Sequence, residues 1–153
     1  VALAIAGREQ LLAAAQSMAG LSDCFLIESM IGGAVAELIV GVARDPQFGL
    51  YLTLGAGGIF VELLRQTAQV LLPATEDDIA AALASLPIFD VLKGYRGKPG
   101  CDMPALIAAI LAVAQFASTH AGQLEELDVN PLLALHEGAV AVDALVRIRE
   151  ISQ

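Results

Sequence analysis

The sequence predicts a two-layer α+β domain, a mostly antiparallel sheet covered by helices. Three observations point there. Short apolar runs of strand length are separated by Gly- and Pro-containing turns. Other segments carry their apolar residues at helical spacing. The strands come in runs with helices interspersed, not in the strict alternation of a doubly wound parallel sheet. A chain of 153 residues with 57% hydrophobic side chains buries a full core, which excludes disorder. Its length fits one domain or one piece of a larger one.

Taken in order, Val1–Ala6 reads as a core strand. Gly7 breaks it, and Arg8–Met18 places Leu11, Leu12, Ala15 and Met18 on helical spacing, with Gly20 as its C-terminal cap. Cys24–Met30 and Ala34–Ala43 read as two strands joined antiparallel through Ile31-Gly32-Gly33. The cluster from Arg44 to Gly49 is a turn, Leu50–Leu54 a strand, and Gly55-Ala56-Gly57-Gly58 a glycine-rich loop. Val61–Leu72 reads as a helix stopped by Pro73. Thr75, followed by Glu76, Asp77 and Asp78, caps a helix running to Leu86, with the acids where the helix dipole favours them. Gly94–Gly100 is irregular. Asp102 then caps an alanine-rich helix from Met103 to His120, apolar on nearly every side and so expected at the centre of the packing. Leu124–Val129 and Ala139–Ile148 close the chain as strands around Asn130-Pro131 and His136-Glu137-Gly138.

Composition narrows function. Eight Lys and Arg against 17 Asp and Glu give a net charge of −9, and no stretch concentrates enough basic charge to bind nucleic acid. Mean hydropathy is high, +0.71, but the longest apolar run, Ala105–Ala114, is too short to span a bilayer. Cys24 and Cys101 lie far apart and lack a metal-ligand pattern, which points to a reducing compartment, the cytoplasm by default. The start at Val1 has no signal-peptide character, and the chain reads as a piece, residues 1–153, of a longer protein.

The residues that invite chemistry are charges placed where the pattern buries them, because an ionised carboxylate in a dry core costs several kcal/mol unless it is paired or holds a cation. Glu37 interrupts an apolar strand between Val35 and Ile39, which share its face; an outward-facing strand residue is the equally good competing reading. Asp128 and Asn130 stand at i and i+2 and project from one strand face. Asp143 lies in the strand expected to return beside them. Such oxygens suit Mg²⁺ shared with nucleotide phosphates. The competing reading makes Asp128 and Asn130 turn formers and Asp143 an edge residue. The Gly55–Gly58 loop fits a phosphate cradle only weakly: the third glycine of a dinucleotide fingerprint and the Gly-Lys-Ser/Thr of a P-loop are both missing, and a close-packed turn explains it equally well. His120 and His136 fit cap or solvated roles, the cysteines lack an activating base, and Arg96 is open between a phosphate clamp, an interface contact and a solvated side chain.

Read together, Leu26–Gly33, Ala36–Gly41, Asp45–Gly49, Gly55–Gly58, Gly94-Tyr95-Arg96-Gly97 and Leu127-Asp128-Val129-Asn130-Pro131-Leu132 resemble the later part of the ATP-grasp domain of nucleoside-diphosphate-forming acyl-CoA synthetases. The resemblance implies ATP and Mg²⁺ as cofactors. It implies interconversion of ATP, a carboxylic acid and CoA with acyl-CoA, ADP and phosphate, through an acyl phosphate and a phosphorylated histidine carried elsewhere. It assigns the metal to Asp128, Asn130 and Asp143, the adenine-facing segment to Glu28, Ser29 and Met30, and the ribose to Glu37. No residue here is assigned a general acid or base role. Expected partners are the CoA-binding and ligase domains or subunits of the parent enzyme, and an open half-cleft favours self-association into a homo-oligomer. Two positions depart from the family pattern: Gln66 and Val70 stand where an acid and a base are expected. They favour the alternative, a regulatory or scaffolding module of a protein acyltransferase.

Overall fold

The computed structural model describes residues 1–58 and 66–149. They fall into two compact units, Val1–Gly32 and Gly33–Gln153.

In the first unit the helix forms where its periodicity lies, α1 (Arg8–Met18), without a side-chain cap and with none of its residues buried. Neither Val1–Ala6 nor Cys24–Met30 is a strand. This corrects the expectation, and the hairpin through Gly32-Gly33 goes with it. An apolar run becomes a strand only when its N–H and C=O groups find a ladder, and these two have none among the described residues.

The second unit holds the sheet: β1 (Ala36–Asp45), β2 (Gly49–Ala56), β3 (Thr67–Leu71), β4 (Leu124–Ala134), β5 (Ala139–Ala141) and β6 (Ala144–Ile148). Its order is β3-β2-β1-β4-β5, with β6 also on β4, and every pairing is antiparallel. The two-layer α+β class therefore stands. β1 and β2 are joined by a tight turn in which the Asp45 carboxylate accepts from the N–H groups of Gln47 (2.7 Å) and Phe48 (2.9 Å), while Gly49 takes φ +83°. Thr67–Leu71, read as the end of a helix, is a strand paired with Tyr51–Gly55. Tertiary pairing overrides a short apolar run whose period is ambiguous. The first part of that helix expectation, 61–65, lies outside the described residues.

Along β1 burial alternates strictly, Leu38, Val40 and Val42 turning inward against α2 (Glu76–Ala84), α3 (Phe89–Lys93) and α4 (Met103–Thr119). Leu38, Leu52, Leu54, Ile79, Leu83 and Ile110 are fully buried there. Thr75 and Asp78 form a reciprocal capping box at α2: the Asp78 carboxylate accepts from the Thr75 N–H at 2.8 Å and hydroxyl at 2.6 Å. Those bonds, the hydroxyl's first, hold the Asp78 carboxyl below its ordinary range. α4 buries Leu106, Ile110, Ala114 and Ala117 and exposes Pro104, Ala108, Ala112 and Phe116. It is a cover on the sheet, not the centre of the packing, because alanine lets a helix look apolar all round without needing burial.

Asp102 ties three segments together. Its Oδ1 caps α4 at the Ala105 N–H (3.1 Å), its Oδ2 accepts from the Gly138 N–H (3.0 Å), and its own N–H donates to the Leu135 carbonyl (2.8 Å). The Gly138 and then the Ala105 bonds lower its carboxyl pKa. Asp102 thereby fixes the β4–β5 turn, and with it the register of the strands that carry the oxygen donors.

Candidate functional site

The site begins with an irregularity in β4. Leu38 pairs with Leu132 and Val40 with Val129, so a single β1 residue, Ile39, faces two on β4, Asn130 and Pro131. This is a β-bulge, a device that re-aims side chains beside functional sites. Proline fits because the bulge removes the need for its missing N–H. Asn130-Pro131, read as a hairpin connection, thus lies inside a strand, and the actual turn is Leu135–Gly138.

The opposite strand is interrupted at the same level. Val129 pairs with Ala144 and Leu132 with Ala141, so Asn130-Pro131 and Val142-Asp143 confront each other in unbroken register. The Asn130 N–H donates to the Asp143 carbonyl at 3.1 Å, and the Val142 N–H to the Pro131 carbonyl at 3.0 Å. Asn130 therefore stands across from Asp143, as the spacing suggested. Asp128, two residues earlier, pairs with Gly41 on one side and Leu145 on the other.

These positions lie on the face opposite the helices. Gly41, the Asp128 partner, shares a face with Glu37, Ile39 and Ala43, while Leu38, Val40 and Val42 fill the core. The Asp128 Oδ1 lies 3.8 Å from where a Cβ on Gly41 would be. Gly41 sits in the middle of a Val-Gly-Val strand, and a strand glycine marks a close approach; that cue went unused in the sequence reading. In register beyond it stand Thr53 on β2 and Gln69 on β3. One carboxylate and two neutral hydrogen-bonding side chains thus stand in a row across the sheet, with the bare Gly41 between Asp128 and Thr53.

The donor set fits a hard divalent cation. Asp128 is half-buried, and Asn130 and Asp143 are exposed. Among the described residues no ion pair engages Asp128 or Asp143, and no hydrogen bond occupies the side chains of Asp128 or Asn130. Asp143 spends Oδ1 on the Ala144 N–H at 2.8 Å, which leaves Oδ2. No group of three or more His, Cys, Asp and Glu assembles among the described residues, so a metal here relies on the carboxamide of Asn130, with water or phosphate completing the shell.

Glu37 is half-buried at the β1 end of the same face, paired with Leu133. Its backbone carbonyl accepts from the Gly57 N–H at 2.7 Å. Its carboxylate lies over Gly58, where an added Cβ would come within 2.5 Å of Oε2. Gly55 and Ala56, read as part of a glycine-rich loop, extend β2, and the two glycines that follow are accounted for by close packing: Gly57 and Gly58 leave room for Glu37, and Gly58 takes φ +57°. Glu28, Ser29 and Met30 are exposed and irregular, in the first unit. Gln66 is exposed just before β3, whereas Val70 pairs with Leu52 and packs against the core.

The comparisons with known proteins agree with this architecture. A model of the ATP-grasp domain matches residues 1–148. The chain is 35% identical over 115 residues to the ADP-forming acetate–CoA ligase II subunit beta of Pyrococcus furiosus, covering 74% of this chain and 49% of that one. It is 37% identical over 108 residues to the isoenzyme I subunit beta of the same organism, covering 71% and 46%. It spans about half the length of these relatives. Among solved structures, the dinucleotide forming acetyl-coenzyme A synthetase 1 of Ca. Korarchaeum cryptofilum, in complex with coenzyme A and Mg-AMPPCP, superimposes with a TM-score of 0.84 at 28% identity, over 97% of this chain and 67% of that one. With the family model running through both units and the antiparallel sheet reproduced in that neighbour, the chain belongs to the ATP-grasp domain family.

Proposed function

We propose that this chain is the nucleotide- and Mg²⁺-binding part of an ADP-forming acyl-CoA synthetase, a piece of a longer cytoplasmic enzyme that forms acyl-CoA, ADP and phosphate from ATP, a carboxylic acid and CoA. The observation that carries the reading is the confrontation of Asn130 and Asp143 at the β4 bulge, with Asp128 on the same strand face. The names of the relatives supply the reaction class.

Bound there, Mg²⁺ would neutralise the phosphate oxygens and hold them in line for transfer. The chain's own residues do the positioning. Asp128 contributes a carboxylate from a rigid central strand, beside the bare surface of Gly41. Asn130 adds a neutral oxygen, so the donor set carries two negative charges that balance the ion, where a third carboxylate would leave a net negative site facing phosphate. Asp143 is held in register by the backbone bond from Asn130. Glu37 offers a carboxylate to the ribose hydroxyls; Glu28, Ser29 and Met30 are assigned to the adenine by the family resemblance alone. The acid, the CoA and the phosphorylated histidine belong to partner domains or subunits.

In the parent protein, Asn130→Ala and Asp143→Ala are expected to abolish acyl-CoA formation while leaving the melting temperature unchanged, since both side chains are exposed. Full activity in Asn130→Ala would overturn the assignment and favour turn chemistry alone. Val70, a half-buried apolar residue where a base is expected, favours a second reading as a regulatory module of a protein acyltransferase. Mg·ATP binding without any ligation by the parent protein would select it.

A further inference from the structure

We propose that the loop leaving α3, from that helix's last residue Lys93 to Gly100, is a rigid basic contact point for an acidic segment of a partner polypeptide. In a chain of net charge −9, three of the eight basic residues, Lys93, Arg96 and Lys98, fall within this loop, and no acid lies between Val91 and Cys101. The flanking acids are already engaged: Asp90 pairs with Lys93 at 3.1 Å, and Asp102 accepts from Ala105 and Gly138. Arg96 and Lys98 are exposed and have no carboxylate partner among the described residues.

The loop is held, not loose. The Cys101 N–H donates to the Leu92 carbonyl (2.8 Å), the Lys98 N–H to the Tyr95 carbonyl (3.0 Å), and the His136 Nδ1 lies 2.8 Å from the Gly100 carbonyl oxygen. Side chains at Gly94 and Gly100 are excluded: an added Cβ would lie 2.8 Å from the Lys98 oxygen in the first case and 2.5 Å from the Leu92 oxygen in the second. Arg96 itself stands at φ +50°, a conformation that non-glycine residues adopt at a cost and that is concentrated at functional positions. Its guanidinium lies 5.2 Å from the centre of the Tyr95 ring, which is 51% exposed.

A planar fork stacked on an exposed aromatic matches the composition of protein interface hot spots, and a fixed loop loses little entropy on binding. The guanidinium suits bidentate carboxylates. The overall negative charge argues against nucleic acid as the occupant.

The test titrates the full chain with an octaglutamate peptide, with octaserine and inorganic phosphate as comparison probes. The expected result is binding of octaglutamate alone, weakened by added salt and reduced about tenfold or more in Arg96→Glu/Lys98→Glu with an unchanged melting temperature. Arg147→Ala/Arg149→Ala, removing basic residues already paired with Glu126 and Glu125, is expected to bind like the parent chain. Absence of octaglutamate binding, equal binding by the Glu double variant, or displacement of the peptide by equimolar phosphate would overturn the proposal.

Discussion

Glu37 and Gly58 show how one side chain dictates its neighbour. An alanine at position 58 meets two obstacles, the left-handed backbone and the Glu37 carboxylate. The first costs about 1 kcal/mol regardless of neighbours; the second exists only while Glu37 is present. Gly58→Ala is therefore expected to destabilise by more than about 1 kcal/mol in the parent chain, and by less in a Glu37→Ala background. A double-mutant cycle by urea denaturation reads the difference, and equal costs in both backgrounds would mean that the carboxylate does not lie over the glycine. Of the proposed donors, Asp128 and Asp143 stand out in the sequence as oxygen donors in apolar runs, and Asn130 by its i, i+2 spacing from Asp128. Gly41 was the missed residue at this scale, although a glycine between two valines signals that something approaches the backbone.

At the scale of elements, helix caps were read most accurately because their signals are local, whereas the turns expected at Gly32-Gly33 and Asn130-Pro131 did not form. Thr75 delivered its cap, which the structure extends to a reciprocal box with Asp78, Asp102 its cap, and Arg8–Met18 its helix. Failures came where pairing decides: Thr67–Leu71 joined the sheet, and Val1–Ala6 and Cys24–Met30 did not. The bulge in β4 was invisible, since Asn-Pro advertises a turn and only the two neighbouring strands show that β4 continues. Thr75→Ala is expected to cost about 1 kcal/mol in thermal unfolding. The pH dependence has a definite sign. Asp78 and Asp102 have folded pKa values below the ordinary carboxylate value, so the stability they contribute is present above that value and is lost as pH falls through the depressed folded value. Thr75→Ala removes the largest cause for Asp78, and an NMR titration of that carboxyl in the variant should move its midpoint upward. An unmoved midpoint would contradict the capping geometry.

At the scale of the whole molecule, the core formed by the described residues lies within the second unit. Leu38→Ala, at the centre of that core, is expected to lose about 2–5 kcal/mol of stability. A chain beginning at Gly33 should keep the cooperative unfolding transition of the sheet, since α1 buries no residue; loss of that transition on calorimetry would show that the first unit carries part of the stability. The antiparallel α+β architecture was legible from the succession of short runs and helices. The existence of two units was not, because the composition does not change at Gly32-Gly33.

The central claim is that the β4 bulge gathers Asp128, Asn130 and Asp143 around one divalent ion shared with nucleotide phosphates. Backbone amide NMR of the full chain, titrated with Mn²⁺ and AMPPCP, tests it most directly through paramagnetic broadening, without recourse to turnover. The account predicts that Asp128, Asn130, Asp143 and the neighbouring Gly41 broaden first, and that Asn130→Ala abolishes the effect. Broadening centred elsewhere, or unchanged broadening in that variant, would contradict it.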